Sequence, residues 1–232
     1  MAKHGKKYRD AKEKLGEPVS LSPQQGFTTV KESSFAKFDE SVDVDISLGI
    51  DAAKSEQIVR GSVVLPHNLG KKVRVIVFAK DKYIDQAVAA GADEVGSTDL
   101  IEKITGGWMD FDYAVSTPDM MSSVGKLAKI LGPKGLLPNK KLGTVTFDVG
   151  PIVADLKKGR SFFKNDKTGL VHFAIGKKSF DDSKLDENLR AFLKAVVGAR
   201  PNTAKGKYIK KVSLSSTMGP GVQIDCEDLL KS

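Results

Sequence analysis

Between Ser41 and Leu48 the chain alternates without a break: Val42, Val44, Ile46 and Leu48 are apolar, and Asp43, Asp45 and Ser47 lie between them. Period two over such a run means a strand with one dry face and one wet face, the habit of an antiparallel sheet. Further on, Val73-Arg74-Val75-Ile76-Val77-Phe78-Ala79 is almost continuously apolar. That is the pattern of a strand covered on both faces, as in a parallel sheet. One sheet does not readily satisfy both patterns, so the chain is expected to build two.

The rest of the sequence sorts itself around these two strands. Ahead of the first, Ser22-Pro23-Gln24-Gln25 has a capping serine, a proline suited to the first helical position and a glutamine to complete a capping box. After the second comes a helical pattern through Ile84 and Val88, and then a short run, Glu94-Val95-Gly96. Thr98 is positioned to cap a helix through Leu100, Ile101 and Ile104, followed by a strand at Tyr113–Ser116. Thr117-Pro118 opens a third helix through Met120, Met121, Val124, Leu127 and Leu131, with Gly132 as its stop. Strand and helix alternating in this way predict a parallel α/β domain. After about residue 160 the period-two pattern returns in Val171, Phe173 and Ile175, in Val212, Leu214, Ser216 and Met218, and in Val222 and Ile224. Between these runs, Ser183 and Asp186 suit the start of a helix whose apolar face is Leu185, Leu189, Phe192, Leu193, Val196 and Val197, closed by Gly198.

The two ends of the chain thus resemble each other and not the middle. The predicted fold is mixed α+β and α/β. A discontinuous α+β domain with an antiparallel-type sheet is made from residues 1–67 and 160–232. A small Rossmann-like three-layer α/β domain, residues 68–159, is inserted in it. The crossings, Pro66-His67-Asn68-Leu69-Gly70 and Lys157-Lys158-Gly159-Arg160, are short, polar and glycine-bearing, suited to a hinge.

Several chemistries are missing. Neither a dinucleotide fingerprint nor a phosphate-binding GxxxxGK[ST] follows the buried strand. Gly132-Pro133-Lys134-Gly135 has the wrong spacing and reads as a helix stop and turn, with an anion site as the alternative. His4, His67 and His172 are scattered and there is one cysteine, Cys226, so neither a zinc site nor an intramolecular disulfide is expected. No nucleophile motif occurs, and the pairs Asp43/Asp45 and Asp181/Asp182 read as structural rather than acid–base. The expectation is a non-enzyme without cofactor. No apolar run approaches the ~20 residues that span a bilayer, and no secretory signal is present. A cytoplasmic protein with no membrane partner is the default.

What the sequence does offer is positive charge: 37 Lys+Arg against 29 Asp+Glu, a net +8. The basic residues cluster at Lys3, Lys6, Lys7, Arg9, Lys12 and Lys14. Further groups are Lys164, Lys167, Lys177 and Lys178, then Lys205, Lys207, Lys210 and Lys211, and in the middle Lys126, Lys129, Lys134, Lys140 and Lys141. Such residues neutralise phosphates without reading sequence. The N-terminal cluster fits either a solvated helix or an arm on nucleic acid. Ser215-Ser216-Thr217-Met218-Gly219-Pro220-Gly221 offers hydroxyls, approachable backbone and a polarizable methionine, suited to the shallow groove of structured RNA; a plain turn is the alternative. Aromatics are 7% of the chain, which makes a stacking platform for single strands the less attractive reading. An enzyme acting on nucleotides through the α/β domain and a merely polyanion-binding protein are the rival classes.

Five segments carry a closer resemblance. They are Ala36–Val44; Leu48-Gly49-Ile50-Asp51 with Lys54-Ser55-Glu56-Gln57, Val59-Arg60-Gly61 and Leu65-Pro66-His67; Leu131–Asn139; Lys164-Asn165-Asp166-Lys167-Thr168-Gly169; and Ser216-Thr217-Met218-Gly219. In order, and over essentially the whole chain, they resemble the bacterial large-subunit ribosomal protein L-one family. The resemblance implies a two-domain discontinuous fold and a monomer when free. It implies direct binding to 23S ribosomal RNA in the large ribosomal subunit, and a mobile stalk that moves and releases exit-site tRNA. It also implies repression of translation through the protein's own-operon mRNA.

Carried over motif by motif, the resemblance puts Lys37, Phe38 and Ser41 on one RNA-contacting segment. Lys167, Thr168, Gly169 and His172 fall on a second, and Ser216, Thr217, Met218 and Gly219 on a third. It implies that Thr217 bonds sugar or backbone, Met218 packs on base or ribose, Gly219 permits close approach, and Lys37 and Lys167 neutralise phosphate. Two positions depart from the family pattern: Ala53, where a basic residue is common, and Lys140, where proline is common after Asn139.

Overall fold

The computed structural model describes residues 5–16, 20–70, 72–80 and 82–226. The chain is mixed helix and strand, with a four-stranded antiparallel sheet, a three-stranded parallel sheet and a separate two-stranded pair among the described residues. It divides into two compact units: unit 1, Met1–Leu69 with Phe162–Ser232, and unit 2, Gly70–Ser161.

Unit 1 begins with α1 (Lys6–Leu15) and α2 (Pro23–Ser33). The box that starts α2 forms as the sequence predicts: Gln25 N–H donates to Ser22 Oγ at 3.4 Å, and Ser22 N–H donates to Gln25 Oε1 at 3.3 Å. β1 (Ser41–Leu48) follows, its burial alternating along its whole length. β2 (Arg60–Val64) comes next, and it pairs with a later strand, β6 (Arg160–Lys164), in a two-stranded ladder. The chain returns with β7 (Leu170–Lys177), α8 (Asp182–Gly198), β8 (Ile209–Ser216) and β9 (Val222–Ile224). The main sheet has the order β7-β1-β8-β9, all antiparallel. β1 is therefore paired on both edges by strands from the far end of the chain.

One face of this sheet is closed by helices. Phe27 and Val30 of α2 and Leu185, Leu189, Phe192 and Val196 of α8 share a core with Val42, Val44, Ile46, Val171, Ile175 and Leu214. The rings of Phe173 and Phe192 stack at 4.3 Å. The alternation puts Asp43, Asp45 and Ser47 on the other, partly exposed face. β7 carries an irregularity: Val42 pairs with Gly176 and Asp43 with Ala174, leaving Ile175 as the extra residue. A bulge leaves a backbone group without a ladder partner. Here the buried Asn188 of α8 supplies one: its Nδ2 donates to Ile175 O at 2.7 Å and to His67 O at 3.0 Å, and its Oδ1 accepts His67 N–H at 3.0 Å.

Unit 2 is built on β3 (Val75–Phe78), β4 (Glu94–Gly96) and β5 (Tyr113–Ser116), parallel, in the order β4-β3-β5. Every residue of β3 is buried. Ile76 and Phe78 join Leu100, Ile104, Met120, Val124, Leu127 and Leu131 in one cluster. The helices are α3 (Lys82–Ala89), α4 (Thr98–Thr105), α5 (Met121–Val124), α6 (Ala128–Leu131) and α7 (Val149–Lys157). Of these, α7 packs on β3, β5 and α3. The ends of β3 and β5, where parallel sheets commonly bind ligands, are closed by the chain itself. Thr117 N–H donates to Phe78 O, Ser116 N–H to Thr144 O, and Thr146 N–H to Ser116 O.

Local details differ from the expectations. Thr98 is the first residue of α4, with Ser97 ahead of it; the Asp99 carboxylate turns back to accept Ser97 N–H at 2.9 Å. α8 starts at Asp182, so Ser183 lies inside it rather than at its cap. The expected helix from Thr117 to Leu131 alternates between 3-10 and α turns, with Gly125 at the break. Glycine and the preceding Ser122 and Ser123 are weak helix formers. Gly132-Pro133-Lys134-Gly135 is a helix end and turn: Gly135 N–H donates to Gly132 O and Leu136 N–H to Leu131 O.

Candidate nucleic-acid interface

The residues singled out in the sequence gather at two places on unit 1, one at each end of β1. The strand runs about 23 Å between them at ~3.3 Å per residue.

At the start of β1, three segments meet. Ser41 N–H donates to Thr217 Oγ1 at 3.0 Å, and Thr217 N–H donates to Ser41 O at 3.2 Å. Lys177 Nζ donates to Ser41 Oγ at 2.9 Å, because Ser41 and Lys177 are cross-strand partners. Met218 N–H donates to Glu40 Oε2 at 3.0 Å, and Ala36 N–H to Glu40 Oε1 at 2.7 Å. Gly219 N–H donates to Ser216 Oγ at 3.1 Å. On this frame two large apolar side chains face water: Phe38 is 57% exposed and Met218 50%. Lys37 and Thr217 are exposed beside them, while Ser216 is buried.

Gly219 has an internal reason to be glycine. A Cβ there would lie 2.5 Å from Ser216 Oγ. A side chain would displace the hydroxyl that organises the turn, whatever ligand comes near.

The second cluster is the turn that precedes β7. Asp166 holds it together: its carboxylate accepts Thr168 N–H and Leu170 N–H, each at 2.8 Å, and the Thr168 hydroxyl at 2.7 Å. The Thr168 hydroxyl and Leu170 N–H outweigh the effect of burial and hold the Asp166 carboxyl below the usual carboxylate range. Gly169 closes the turn at φ +84°, a conformation that side chains with a Cβ rarely adopt. Its carbonyl accepts Leu48 N–H at 3.0 Å, which ties the turn to the end of β1. Lys167 projects from the turn, exposed. The Thr168 hydroxyl is already committed to Asp166.

Between the clusters lies the wet face of the sheet. His172 is opposite Asp45, with Nδ1 2.6 Å from Asp45 Oδ1 and Nε2 3.8 Å from Asp166 Oδ2. Across the other edge, Ser215 pairs with Asp43, Ser213 with Asp45 and Lys211 with Ser47. Burial, with Asp45 nearby, pushes the Asp43 carboxyl up, and Lys177 opposes this. The face thus has lysines at its ends and acceptors and hydroxyls along its middle.

The matched stretch of the chain includes all of these residues: a family model for the ribosomal protein L1p/L10e family covers residues 30–220. The chain belongs to that family. Among similar proteins, the large ribosomal subunit protein uL1 of Syntrophobacter fumaroxidans is 48% identical over 225 residues, 97% of this chain and 96% of the relative. The protein of the same name from Bdellovibrio bacteriovorus is 51% identical over 221 residues, 95% of this chain and 94% of its own. In this member of the family, α1 carries Lys6, Lys7, Arg9, Lys12 and Lys14 with exposed side chains, while Ala11 is buried; Lys3 lies outside the described residues.

Sequence reasoning passed over Glu40 and Ser213; it counted Lys177 only within a basic group and Ser215 only within the 215–221 segment, without their cross-strand partners, and it read Asp43 and Asp45 as structural. Lys177 and the serines depend on pairings across more than a hundred residues, which a single sequence does not reveal. Glu40 had a signal: continuing the β1 alternation back one step gives it the same parity as Val42. Among the described residues no group of three metal-ligating side chains comes together, and no helix is long and apolar enough to cross a membrane.

Proposed function

We propose that this chain is a non-catalytic structural constituent of the large ribosomal subunit and that unit 1 binds 23S ribosomal RNA directly. The observation that carries this is the frame at the start of β1, where hydrogen-bonded segments present Phe38, Met218, Lys37 and Thr217 together to solvent. The relatives, both large ribosomal subunit proteins, support the same reading.

The physics is that of a preformed surface on an irregular RNA helix. Lys37, Lys167 and Lys177 at the ends of the face neutralise phosphates. Asp43, Asp45, Ser213 and Ser215 accept or exchange hydrogen bonds with 2′-hydroxyls, groups that only RNA offers. Phe38 and Met218 pack on ribose or exposed base. Gly169 and His172 complete the second contact.

The wider role follows from the family resemblance. Unit 1 stays anchored as an RNA-binding domain, and unit 2, connected through two chain passages, swings as a separate domain in a mobile stalk that acts on exit-site tRNA. The same RNA surface represses translation by binding the protein's own-operon mRNA. The free protein is a monomer, and its place is in the cytoplasmic ribosome.

Binding of the full chain to the 23S stalk fragment and to an unrelated structured RNA, over a salt series, tests the reading. Strong preference for the stalk fragment at physiological salt is the expected result. Equal, salt-fragile binding to both leaves only general polyanion affinity.

A further inference from the structure

Glu40 is a carboxylate with no exposure to solvent, immediately ahead of the strand that carries the candidate interface. Such groups are rarely buried without partners. Among the described residues its partners are backbone N–H groups and a hydroxyl. Oε1 takes Ala36 N–H, Oε2 takes Met218 N–H, and the Ser216 hydroxyl bonds to the same carboxylate. Lys178 acts on it only through space, while Lys178 N–H donates to the Glu40 carbonyl at 2.8 Å. Burial pushes the carboxyl up, but these hydrogen bonds together with Lys178 outweigh it, so it is held below the usual range and stays ionised.

The two N–H donors belong to different loops. Ala36 opens the loop that bears Lys37 and Phe38. Met218 lies in the loop after β8 that bears Thr217 and Gly219. Phe38 and Met218, the large apolar side chains of the two loops, both face water. A carboxylate is suited to such a place: it has two acceptor oxygens on one rigid plane and no donor when ionised. Each oxygen holds one loop, and the Ser216 hydroxyl that touches the carboxylate also receives Gly219 N–H. One side chain is therefore bonded directly to both loops, and through Ser216 it reaches Gly219 as well.

We propose that Glu40 is the positioning residue of the RNA interface, a two-oxygen clamp that fixes the Lys37–Phe38 loop against the Thr217–Gly219 loop before RNA arrives. It does not touch RNA. It acts by removing the freedom the two loops would otherwise lose on binding. The proposal rests on the RNA-binding reading above, and the test separates the two.

The experiment uses the full chain with Glu40→Gln and Glu40→Ala. Each removes a buried negative charge beneath a surface that binds a polyanion. Electrostatics alone then predicts binding as tight as wild type, or tighter, to every RNA. The clamp predicts the opposite sign for one RNA only. Affinity for the 23S stalk fragment falls at least fivefold in Glu40→Gln and more in Glu40→Ala, while affinity for an unrelated structured RNA is unchanged or rises. Glutamine presents one acceptor and one donor, so it satisfies only one of the two loops.

Amide hydrogen exchange on the free protein supplies a reading without RNA. Ala36 or Met218 exchanges faster in Glu40→Gln, both do in Glu40→Ala, and the slow amides of Val44 and Ile46 show that the sheet is intact. If Glu40→Ala does not fold, Glu40→Gln decides. Binding of the stalk fragment by Glu40→Gln equal to wild type overturns the clamp, and so does unchanged exchange at Ala36 and Met218. If wild type itself does not prefer the stalk fragment, the RNA-binding reading fails, and the exchange data alone judge the clamp.

Discussion

Ser41 and Thr217 exchange two hydrogen bonds: Ser41 N–H donates to Thr217 Oγ1 at 3.0 Å, and Thr217 N–H donates to the Ser41 carbonyl at 3.2 Å. The strand pairing of β1 with β8 is thereby extended one step beyond Val42 and Ser216, into the surface proposed to meet RNA. The Thr217 hydroxyl accepts from the protein and keeps its own hydrogen to donate outward. Thr217→Val removes both capacities and no charge. It is expected to weaken stalk-fragment binding about tenfold, about 1.4 kcal/mol, with an unchanged salt slope. Thr217→Ser is expected to bind like wild type. Filter binding over a salt series checks both.

Lys167 stands exposed on the Asp166 turn, which keeps its shape through Asp166, Thr168 and Gly169 and not through the lysine. Lys167→Ala should therefore leave unfolding unchanged and lower the slope of log affinity against log salt by about one. A slope equal to that of wild type would remove Lys167 from the phosphate contacts.

Gly219→Ala should cost about 1–3 kcal/mol of stability, the usual penalty for overpacking, since its Cβ meets Ser216 Oγ at 2.5 Å. The Ser216 hydroxyl would move off the Glu40 carboxylate, so stalk-fragment affinity should fall more than tenfold. Urea unfolding and binding on the same preparation measure both.

Asn188 satisfies three backbone groups by itself, His67 N–H, His67 O and Ile175 O. Asn188→Ala leaves them without that partner, at roughly 1–3 kcal/mol for the buried Ile175 carbonyl and less for the half-buried His67 groups, and should lower the stability of unit 1 by about 2–4 kcal/mol. The chain has one tryptophan, Trp108, which lies in unit 2. The expected result is an earlier transition by far-UV circular dichroism, while the Trp108 fluorescence transition stays where it was.

Trp108 also reports on Asp93. Burial raises the Asp93 carboxyl, but its bonds with Lys157 and Val75 N–H prevail and hold it below the ordinary aspartate value. The unfolded chain then binds more protons than the folded one between the two pKa values. The stability from this group is complete above about pH 4 and is lost as pH falls through the lower, folded-state value. Asp93→Asn is expected to destabilise unit 2 at pH 7 by about 1 kcal/mol and to flatten the acid limb of its stability curve.

Much of the fold was legible because hydrophobic period depends on local sequence. The Ser41–Leu48 alternation gave β1 with its bounds, the Ser22 box gave the start of α2, and the apolar run around Val77 gave a strand buried throughout. β2, β6 and α7 were not read. The two strands lack a clean alternation, each burying a single residue, and α7 has Gly150-Pro151 in its first turn, which looks like a loop until that turn is seen to tolerate proline. In the candidate site, the exposed members Phe38, Thr217 and Met218 came from motif resemblance. The supports beneath them did not, because a support is defined by its partner: Lys177 by Ser41, Glu40 by Met218, Asn188 by a bulge in β7. These pairings join residues far apart in sequence, and only the parity of Glu40 left a local trace.

β1 lies between β7 and β8 and has no partner from its own half of the chain. During synthesis it must therefore wait. Unit 2, contiguous from Gly70 to Ser161, has all its strands once Ser116 has emerged, whereas the main sheet has all of its strands only after Ile224 is made. A chain that stops early carries Phe38 and Lys37 but has no Thr217 or Met218 to set beside them. The arrangement withholds the proposed RNA surface from incomplete products, so that only a finished molecule competes for its site.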